Sequence, residues 1–269
     1  AVLVICGDVN PRRALKATRE HFGSIPARAA EDDAGTSPIE EPQGEQRVTT
    51  HWDDSSRRLV MVWPTAAVGS DEDYALDVVT TILTHGRLSR LQSRLVHDQK
   101  LAVSVSAAND TRVDSGVFWL YAECADGVDP RTLEDAIDDE LVRLATERLP
   151  QSELRRAKRI LEASDAHESE TVSDIAEELG EFAVDAHWRL AIEGVERNDA
   201  VTAVAVREVT ARFLVPGRQV SGPGQHQGKP VSDKLGYSLG SPGQQLPLVA
   251  VHAVYGSVFG QHLGAVAVR

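Results

Sequence analysis

The stretch that decides the fold reads GRLSRLQSRL at residues 86–95 and resumes as KLAVSVSA at residues 100–107. Gly86 predicts a turn, and the leucines that follow it recur at helical spacing. These leucines share one predicted apolar face, with arginines on the opposite side: Leu88, Leu91 and Leu95. The second part alternates apolar and small polar side chains, which is typical of a half-buried strand. The stretch therefore predicts a short amphipathic helix that leads into a sheet.

Helices and strands of similar length are predicted on both sides of this stretch. The Asp-Ser-Gly turn at 114–116 favours an antiparallel pair of strands, and Asp129-Pro130 predicts the start of a helix. The inner face of that helix holds four apolar residues: Leu133, Ile137, Leu141 and Leu144. The predicted elements in chain order are a strand at 1–6, a helix at 11–22, a strand at 58–64, helices at 70–84 and 86–98, and strands at 101–109 and 116–125. They continue with a helix from 129, a broken or bent helical region from 152 to 187, a helix at 200–214 and a strand at 219–220.

This order of elements indicates the fold class. Hairpin-linked strands with helices grouped between them predict an α+β fold and argue against a doubly wound parallel sheet. The expected architecture is a layered sandwich of a mainly antiparallel sheet with helices packed on one face.

Shifts in composition divide the chain into four predicted parts. Residues 1–26 are expected to be the end of a preceding, truncated α+β domain, since a strand begins without a leader. Residues 27–50, rich in Pro, Gly, Glu and Asp, are expected to be a linker. The main α+β domain is predicted at 51–220. Residues 221–269 form an atypical Gly-, Pro- and Gln-rich tail with an apolar end.

The end of this tail allows three interpretations. Residues 246–268 carry no charged side chain and are long enough to span a bilayer if helical. Glycines and histidines lower the apolarity of the run, so a peripheral strand or helix, or a non-native or misread coding sequence, also fits. A membrane segment is the less favoured interpretation.

Composition and charge exclude some classes of function. The 269-residue chain is 42% hydrophobic and 26% charged, which is ordinary for a globular protein. Its net charge of -13 argues against a nucleic-acid partner, which requires clustered Lys and Arg. Cys6 and Cys124 lie in separate apolar runs and are expected to be buried small hydrophobes. Nothing in the sequence indicates the compartment.

Two segments carry a family resemblance. The unit VLVICGDVNP at 2–11, closed by HFGSIP at 21–26, and the region from 58 to 223 resemble the carboxy-terminal, non-catalytic portion of insulinase/pitrilysin-type zinc metallopeptidases. The resemblance implies two similar α+β halves that enclose a chamber. One half carries an inverted His-x-x-Glu-His motif and a distal Glu. These residues hold zinc with an open position for water, and the motif Glu acts as general base.

The sequence contains no complete zinc motif. The nearest match is ATREH at 17–21, where Ala17 replaces the first histidine; we interpret it as a chance match. The remaining histidines never pair at helical ligand spacing. We therefore expect no catalytic, cofactor-binding or metal-binding residue in this chain, and we expect zinc in a missing catalytic half.

The resemblance also identifies two degenerate substrate-contacting positions. Many family members carry an Arg and, seven residues later, a Tyr that contact the bound peptide. Val96 and Val103 stand at these positions here, and neither side chain can donate a hydrogen bond. Arg94 cannot be assumed to substitute for Val96, because two helical residues differ by roughly 200° in direction.

Two hypotheses follow, together with a less favoured one. The chain is the non-catalytic half of a zinc peptidase that acts on peptides or unfolded segments, paired with a catalytic half-domain or partner subunit. Alternatively, it is a degenerate structural or assembly subunit of the same family. An unrelated α+β binding module is the third possibility. On either leading hypothesis the isolated chain should not hydrolyse peptides, and the unpaired strand at 2–6 favours a homodimer or aggregation.

Overall fold

The computed structural model of the chain describes residues 2–26, 45–51, 56–214, 216 and 220–225. Six strands in these ranges form one sheet: β1 (Gln46–Arg47), β2 (Thr50–His51), β3 (Arg58–Thr65), β4 (Ala102–Thr111), β5 (Gly116–Cys124) and β6 (Val220–Gln225). The spatial order is β1-β6-β3-β5-β4, with β2 also beside β6. The long strands β3, β4, β5 and β6 pair antiparallel, whereas β1 and β2 pair parallel to β6.

Seven α-helices and one π-helix accompany the sheet in the described ranges. They are α1 (Pro11–Phe22), α2 (Asp71–Thr84), the π-helix (Gln92–Asp98), α3 (Pro130–Thr146), α4 (Gln151–Glu168), α5 (Val172–Asp185), α6 (Leu190–Ala200) and α7 (Ala203–Phe213). Several helices begin at the residues that sequence reasoning favours. Asn10 and Asp129 cap α1 and α3, each followed by proline, and Ser70 caps α2.

The core lies between one face of the sheet and the helices. Alternate residues of β3 point to this inner face and are fully buried: Leu59, Met61 and Trp63. The Trp63 ring meets the edge of Phe118 on β5, with ring centroids 6.1 Å apart. The predicted inner face of α3 is at most 1% exposed and belongs to the same core: Leu133, Ile137, Leu141 and Leu144. The α+β sandwich with helices on one face is therefore confirmed.

The opposite, outer face of the sheet carries a second and much smaller apolar cluster. Val62 and Val117 are buried there, and Val48, Val60 and Trp119 pack against them while remaining partly exposed. None of these residues belongs to the main core. The two faces of the sheet are thus unequal, one closed by helices and one only partly covered by its own side chains.

The segment at residues 86–107 differs from its predicted structure in one respect. Leu91 and Leu95 are buried as expected, but Leu88 is 70% exposed. Leu88 lies in a turn, closed by the Ser89 N–H donating to the Gly86 carbonyl at 3.0 Å, and so precedes the helix. The helix then widens into a π-helix, where the Gln99 N–H donates to the Arg94 carbonyl at 2.8 Å. The prediction that Leu88 shares the apolar face was wrong.

Other differences follow from strand pairing and from missed helices. The predicted strand at 1–6 is not formed over the described residues 2–6, because no described strand pairs with it. Strand β1 falls within the predicted 27–50 linker, and β6 extends to residue 225 in the predicted tail. The helical region at 152–187, which was predicted to be broken or bent, is indeed two helices, α4 and α5. Helix α6 was not predicted at all. The apolar run at 246–268 lies outside the described residues.

Lys100 provides a test of the turn between the π-helix and β4. Its φ is +53°, the left-handed region that disfavours a side chain. Lys100→Gly should raise the free energy of unfolding by about 0.5–1 kcal/mol. The backbone strain that glycine relieves in the folded chain outweighs the conformational entropy that it adds to the unfolded chain. Gln99→Gly is the matched control and should destabilise, since Gln99 has φ -86°. Denaturant unfolding measures both; a Lys100→Gly variant no more stable than wild type would show that the turn is unstrained.

Candidate functional site

The two positions identified from the family resemblance lie close in sequence but in different environments. Val96, on the π-helix, is partly buried and packs against the main core. Val103 is the extra residue of an irregularity in β4, between Ala102 and Ser104, and is 60% exposed. Neither side chain carries a polar group. Their role as degenerate substrate-contacting positions stays a prediction.

A network of four charged side chains surrounds the start of the π-helix. Arg90 donates to both carboxylate oxygens of Glu153 on α4, at 2.8 and 3.0 Å. It also donates to Glu140 on α3 at 3.1 Å, and Arg94 donates to the second oxygen of Glu140 at 2.7 Å. Each of the four side chains is at most 21% exposed. The Arg94 guanidinium is therefore bound within this network.

A second polar cluster lies where α2 meets β4. The Asn109 side-chain amide donates to Asp73 Oδ1 at 2.7 Å and to Asp77 Oδ1 at 3.0 Å. The other oxygen of Asp73 accepts from the Gly69 N–H at 2.8 Å. Burial, followed by the charge of Asp73, raises the pKa of Asp77 to about 7, although Asn109 opposes the shift. Burial also raises the pKa of Asp73, against its hydrogen bonds.

A third cluster fixes the short strand β1 to α3. Arg47 donates to both oxygens of Glu134, at 2.7 and 2.9 Å, and Glu134 is buried. Asp138 lies one helical turn further on, and burial together with the charges of Glu134 and Asp135 raises its pKa to about 7. This cluster attaches the sheet to the helices. It brings carboxylates together, but no Ser, Cys or Lys nucleophile is among its residues Arg47, Glu134 and Asp138.

The described residues do not form a metal site. No group of three or more His, Cys, Asp or Glu side chains in these ranges could hold a metal ion. His21, from the chance match to the zinc motif, lies on the exposed helix α1. Across the same ranges, no helix combines the length and apolarity needed to cross a lipid bilayer.

Sequence reasoning missed the three charged clusters. Arg90 was interpreted only as one of the arginines opposite the apolar face of its predicted helix, whereas the structure pairs it with Glu153. Their pairing spans 63 positions, which no local spacing indicates. One signal was available at Asp73 and Asp77, which stand four residues apart on a helix that is otherwise largely apolar.

The fold and the family comparison define the class of protein. A family model described as "Peptidase M16 inactive domain" matches residues 1–161, more than half of the chain. The chain therefore belongs to the M16 peptidases, the insulinase-like zinc metallopeptidase family, and corresponds to their carboxy-terminal inactive domain.

Two curated relatives illustrate the similarity. The zinc protease PqqE of Helicobacter pylori is 27% identical over 192 residues, covering 68% of this chain and 42% of that protein. An uncharacterised zinc protease of Mycobacterium tuberculosis is 32% identical over 124 residues, covering 46% of this chain and 28% of that protein. The chain thus spans less than half the length of these relatives.

Solved structures show the same fold. A protease from Helicobacter pylori superposes with a TM-score of 0.73 at 21% identity, covering 82% of this chain and 54% of that one. The peptidase M16 inactive domain from Pseudomonas fluorescens superposes with a TM-score of 0.66 at 18% identity, covering 83% and 53% of the respective chains. At these identities the likeness establishes the fold alone.

The four-residue network should matter for stability. Glu140→Ala leaves two arginines without their shared partner in a largely buried site, so we expect a loss of roughly 2–4 kcal/mol in the free energy of unfolding. Glu20→Ala is the control: Glu20 pairs with Lys16 at 3.7 Å on an exposed helix, and its loss should cost under about 0.5 kcal/mol. Equal effects of the two substitutions in denaturant unfolding would contradict the structural role of the network.

Asp77 should make stability depend on pH. Its folded-state pKa of about 7 exceeds its ordinary value of 3.8. Between these pH values the folded chain binds more protons at Asp77 than the unfolded chain does. The free energy of unfolding therefore falls as the pH rises from about 4 to 7. Asp77→Asn should remove part of this loss of stability, on the order of 2 kcal/mol between pH 4 and 8. The part that Asp73 and Asp138 contribute should remain. Denaturant unfolding from pH 4 to 8 measures the change, and an Asp77→Asn variant with the same pH dependence as wild type would refute the assignment.

Proposed function

We propose that this chain is the non-catalytic half of a zinc-dependent metalloendopeptidase that acts on peptides or unfolded segments. The zinc site would lie on another domain or on a partner chain of the same family. The observation that carries the proposal is the match of residues 1–161 to the inactive domain of M16 peptidases, in a chain that spans 42% of its relative PqqE.

The described residues do not fit the zinc chemistry of the family, since they offer no ligand set. No catalytic step is therefore assigned to them. The catalytic half would supply the metal, its activated water and the general base. The contribution of this chain would be to complete the chamber and to hold peptide against the other half.

The amino-terminal segment supports a partner surface. Helix α1 has no buried residue, and its apolar side chains Leu15 and Phe22 are 58% and 54% exposed. The preceding residues also expose apolar side chains: Val2, Leu3, Ile5 and Val9. Burying such a surface is favourable by about 25 cal/mol per Å². A catalytic half that packs on residues 2–26 would bury it.

One observation favours the alternative, a structural or assembly subunit. Val96 and Val103 lack the polar groups with which the family resemblance associates peptide contact. A chain of complex III from Candida albicans superposes with a TM-score of 0.65 at 18% identity, so the fold also occurs in a large assembly. On this alternative, the chain would bind its partner without contributing to catalysis.

Reconstitution tests the proposal. The chain alone should not cleave a fluorogenic peptide, whereas the chain mixed with the zinc-bearing half from the same coding region or from a co-purifying chain should cleave it. Removal of zinc with a chelator should abolish the activity, and re-addition should restore it. A zinc-bearing half that is fully active alone, and unaffected by this chain, would rule out the proposal.

The double substitution Val96→Arg and Val103→Tyr separates the two functions in the reconstituted pair. If this half holds substrate, added hydrogen-bond donors should lower KM, by roughly tenfold if each contributes about 0.7 kcal/mol. If the chain is only structural, KM and kcat should both stay unchanged. Val142→Arg, at an exposed position on α3, controls for the added charge.

A further inference from the structure

Helix α1 carries two neighbouring stripes of different chemistry. Leu15 and Phe22 stand seven residues apart and form an exposed apolar stripe. A basic stripe lies beside it and consists of Arg12, Lys16 and Arg19, which stand four and three residues apart. These three side chains are exposed and line an open groove together with Leu15. The proposed catalytic half would cover the apolar stripe, so the basic stripe is left for a different partner.

The positive charge of α1 has little compensation nearby. Residues 11–22 contain four Lys or Arg side chains and one carboxylate, a local net charge of +3 in a chain whose net charge is -13. Among the described residues, the one ion pair of α1 joins Lys16 to Glu20 at 3.7 Å, and both side chains are exposed. Exposed pairs of this kind are weak, so the basic stripe can pair with a second surface at little cost.

The opposite charge is concentrated on α5 and on the end of α4. Residues 160–188 contain nine Asp or Glu side chains and no Lys or Arg. Glu177 and Glu181 are exposed and stand four residues apart, so they form an acidic stripe along α5. Burial and the charges of neighbouring carboxylates on α4 and α5 raise the pKa of Glu178. These carboxylates therefore lie close enough to repel one another.

The end of α4 adds to this uncompensated charge. Asp165 and Glu168 lie in its last turn, where the dipoles of the backbone disfavour a carboxylate. The acidic surface thus reduces the stability of a single copy. A basic partner would remove that unfavourable term.

The basic and acidic stripes do not meet within one copy. Residues 4–7 run along α5, with Val4 against Gly180 and Gly7 against Val172. Helix α1 follows this segment, has no buried residue and, among the described residues, forms no ion pair with α5. Each copy therefore presents both stripes to other molecules.

We propose that α1 of one copy docks through its basic stripe on the acidic stripe of α5 in a second copy. Because each copy has one stripe of each kind, two copies related by a two-fold axis can exchange both contacts and close as a dimer. The inference goes beyond the proposed function and does not depend on it.

The spacing of the two stripes suits this contact. Side chains four residues apart on a helix are separated by about 6 Å along its axis, so Arg12 and Lys16 can face Glu177 and Glu181. Val184, 69% exposed, continues the acidic stripe and would give the docked helix an apolar contact. The net charge of -13 repels whole copies, but at physiological salt this repulsion is screened beyond about 8 Å.

The salt dependence of association tests the proposal. The 269-residue chain at about 100 μM should sediment as a dimer in about 50 mM salt and as a monomer in about 500 mM salt, because salt screens contacts between exposed charges. Contact through Leu15 and Phe22, or strand pairing of residues 2–6, would persist or strengthen with salt. A chain that is monomeric at low salt, or a dimer that salt does not weaken, would overturn the proposal.

Charge reversal tests which stripes pair. The double variant Arg12→Glu and Lys16→Glu should be monomeric, and so should Glu177→Lys with Glu181→Lys, because each then places like charges opposite one another. We expect the dissociation constant to rise by roughly a hundredfold in each case. A mixture of the two variants should form a heterodimer, since every reversed stripe then meets its opposite. This recovery also shows that both variants are folded.

The control variant is Arg131→Glu with Arg143→Glu. Both arginines are exposed on α3, and the pair changes the net charge by the same amount as the reversal on α1. This variant should dimerise like wild type. Reversed variants that dimerise like wild type, or that have wild-type circular dichroism and yet do not associate when mixed, would show that the stripes do not pair.

Discussion

Arg90 joins three segments that are distant in sequence, and the geometry of the peptidase-like half depends on that junction. Its guanidinium contacts Glu153 on α4 and Glu140 on α3, while Arg90 itself lies two residues before the π-helix. Glu140 also accepts from Arg94, so one carboxylate links the residues before the π-helix to a residue within it. A buried charge without its partner is costly, so these four side chains must come together as a set. Three residues separate the π-helix from β4, so the network lies in the segment that leads into this strand.

The main layers of the fold could be predicted because their signals are local. The alternation in β4 and β5 and the turn between them define the hairpin, and the apolar spacing of α3 defines its buried face. The same spacing and composition rules failed where contacts between distant segments determine the local structure. Leu88 has helical spacing to Leu91, but a hydrogen-bonded turn separates them. Residues 2–6 have the composition of a strand, but a strand also needs a partner.

The candidate site was less predictable than the fold. The family resemblance identified Val96 and Val103, and the structure places one against the core and the other in solvent. The terminal position of β4 could not be found from sequence, because which strand is terminal depends on the order of the whole sheet. The charge clusters were hidden for a similar reason, since each joins elements that are separated by intervening helices or strands.

The unequal faces of the sheet connect the stability of this chain to its role. The helical face holds the main apolar core, whereas α1 and the residues before it leave apolar side chains such as Leu15 and Phe22 exposed. The other face leaves Trp119 and Val60 partly exposed and ends at β4, whose outer edge has no strand partner among the described residues. An open strand edge favours aggregation, and in β4 the irregularity after Ala102 and the charge of Asp110 oppose it. The sheet therefore draws most of its stability from the helical face, and the outer face adds only a smaller apolar cluster.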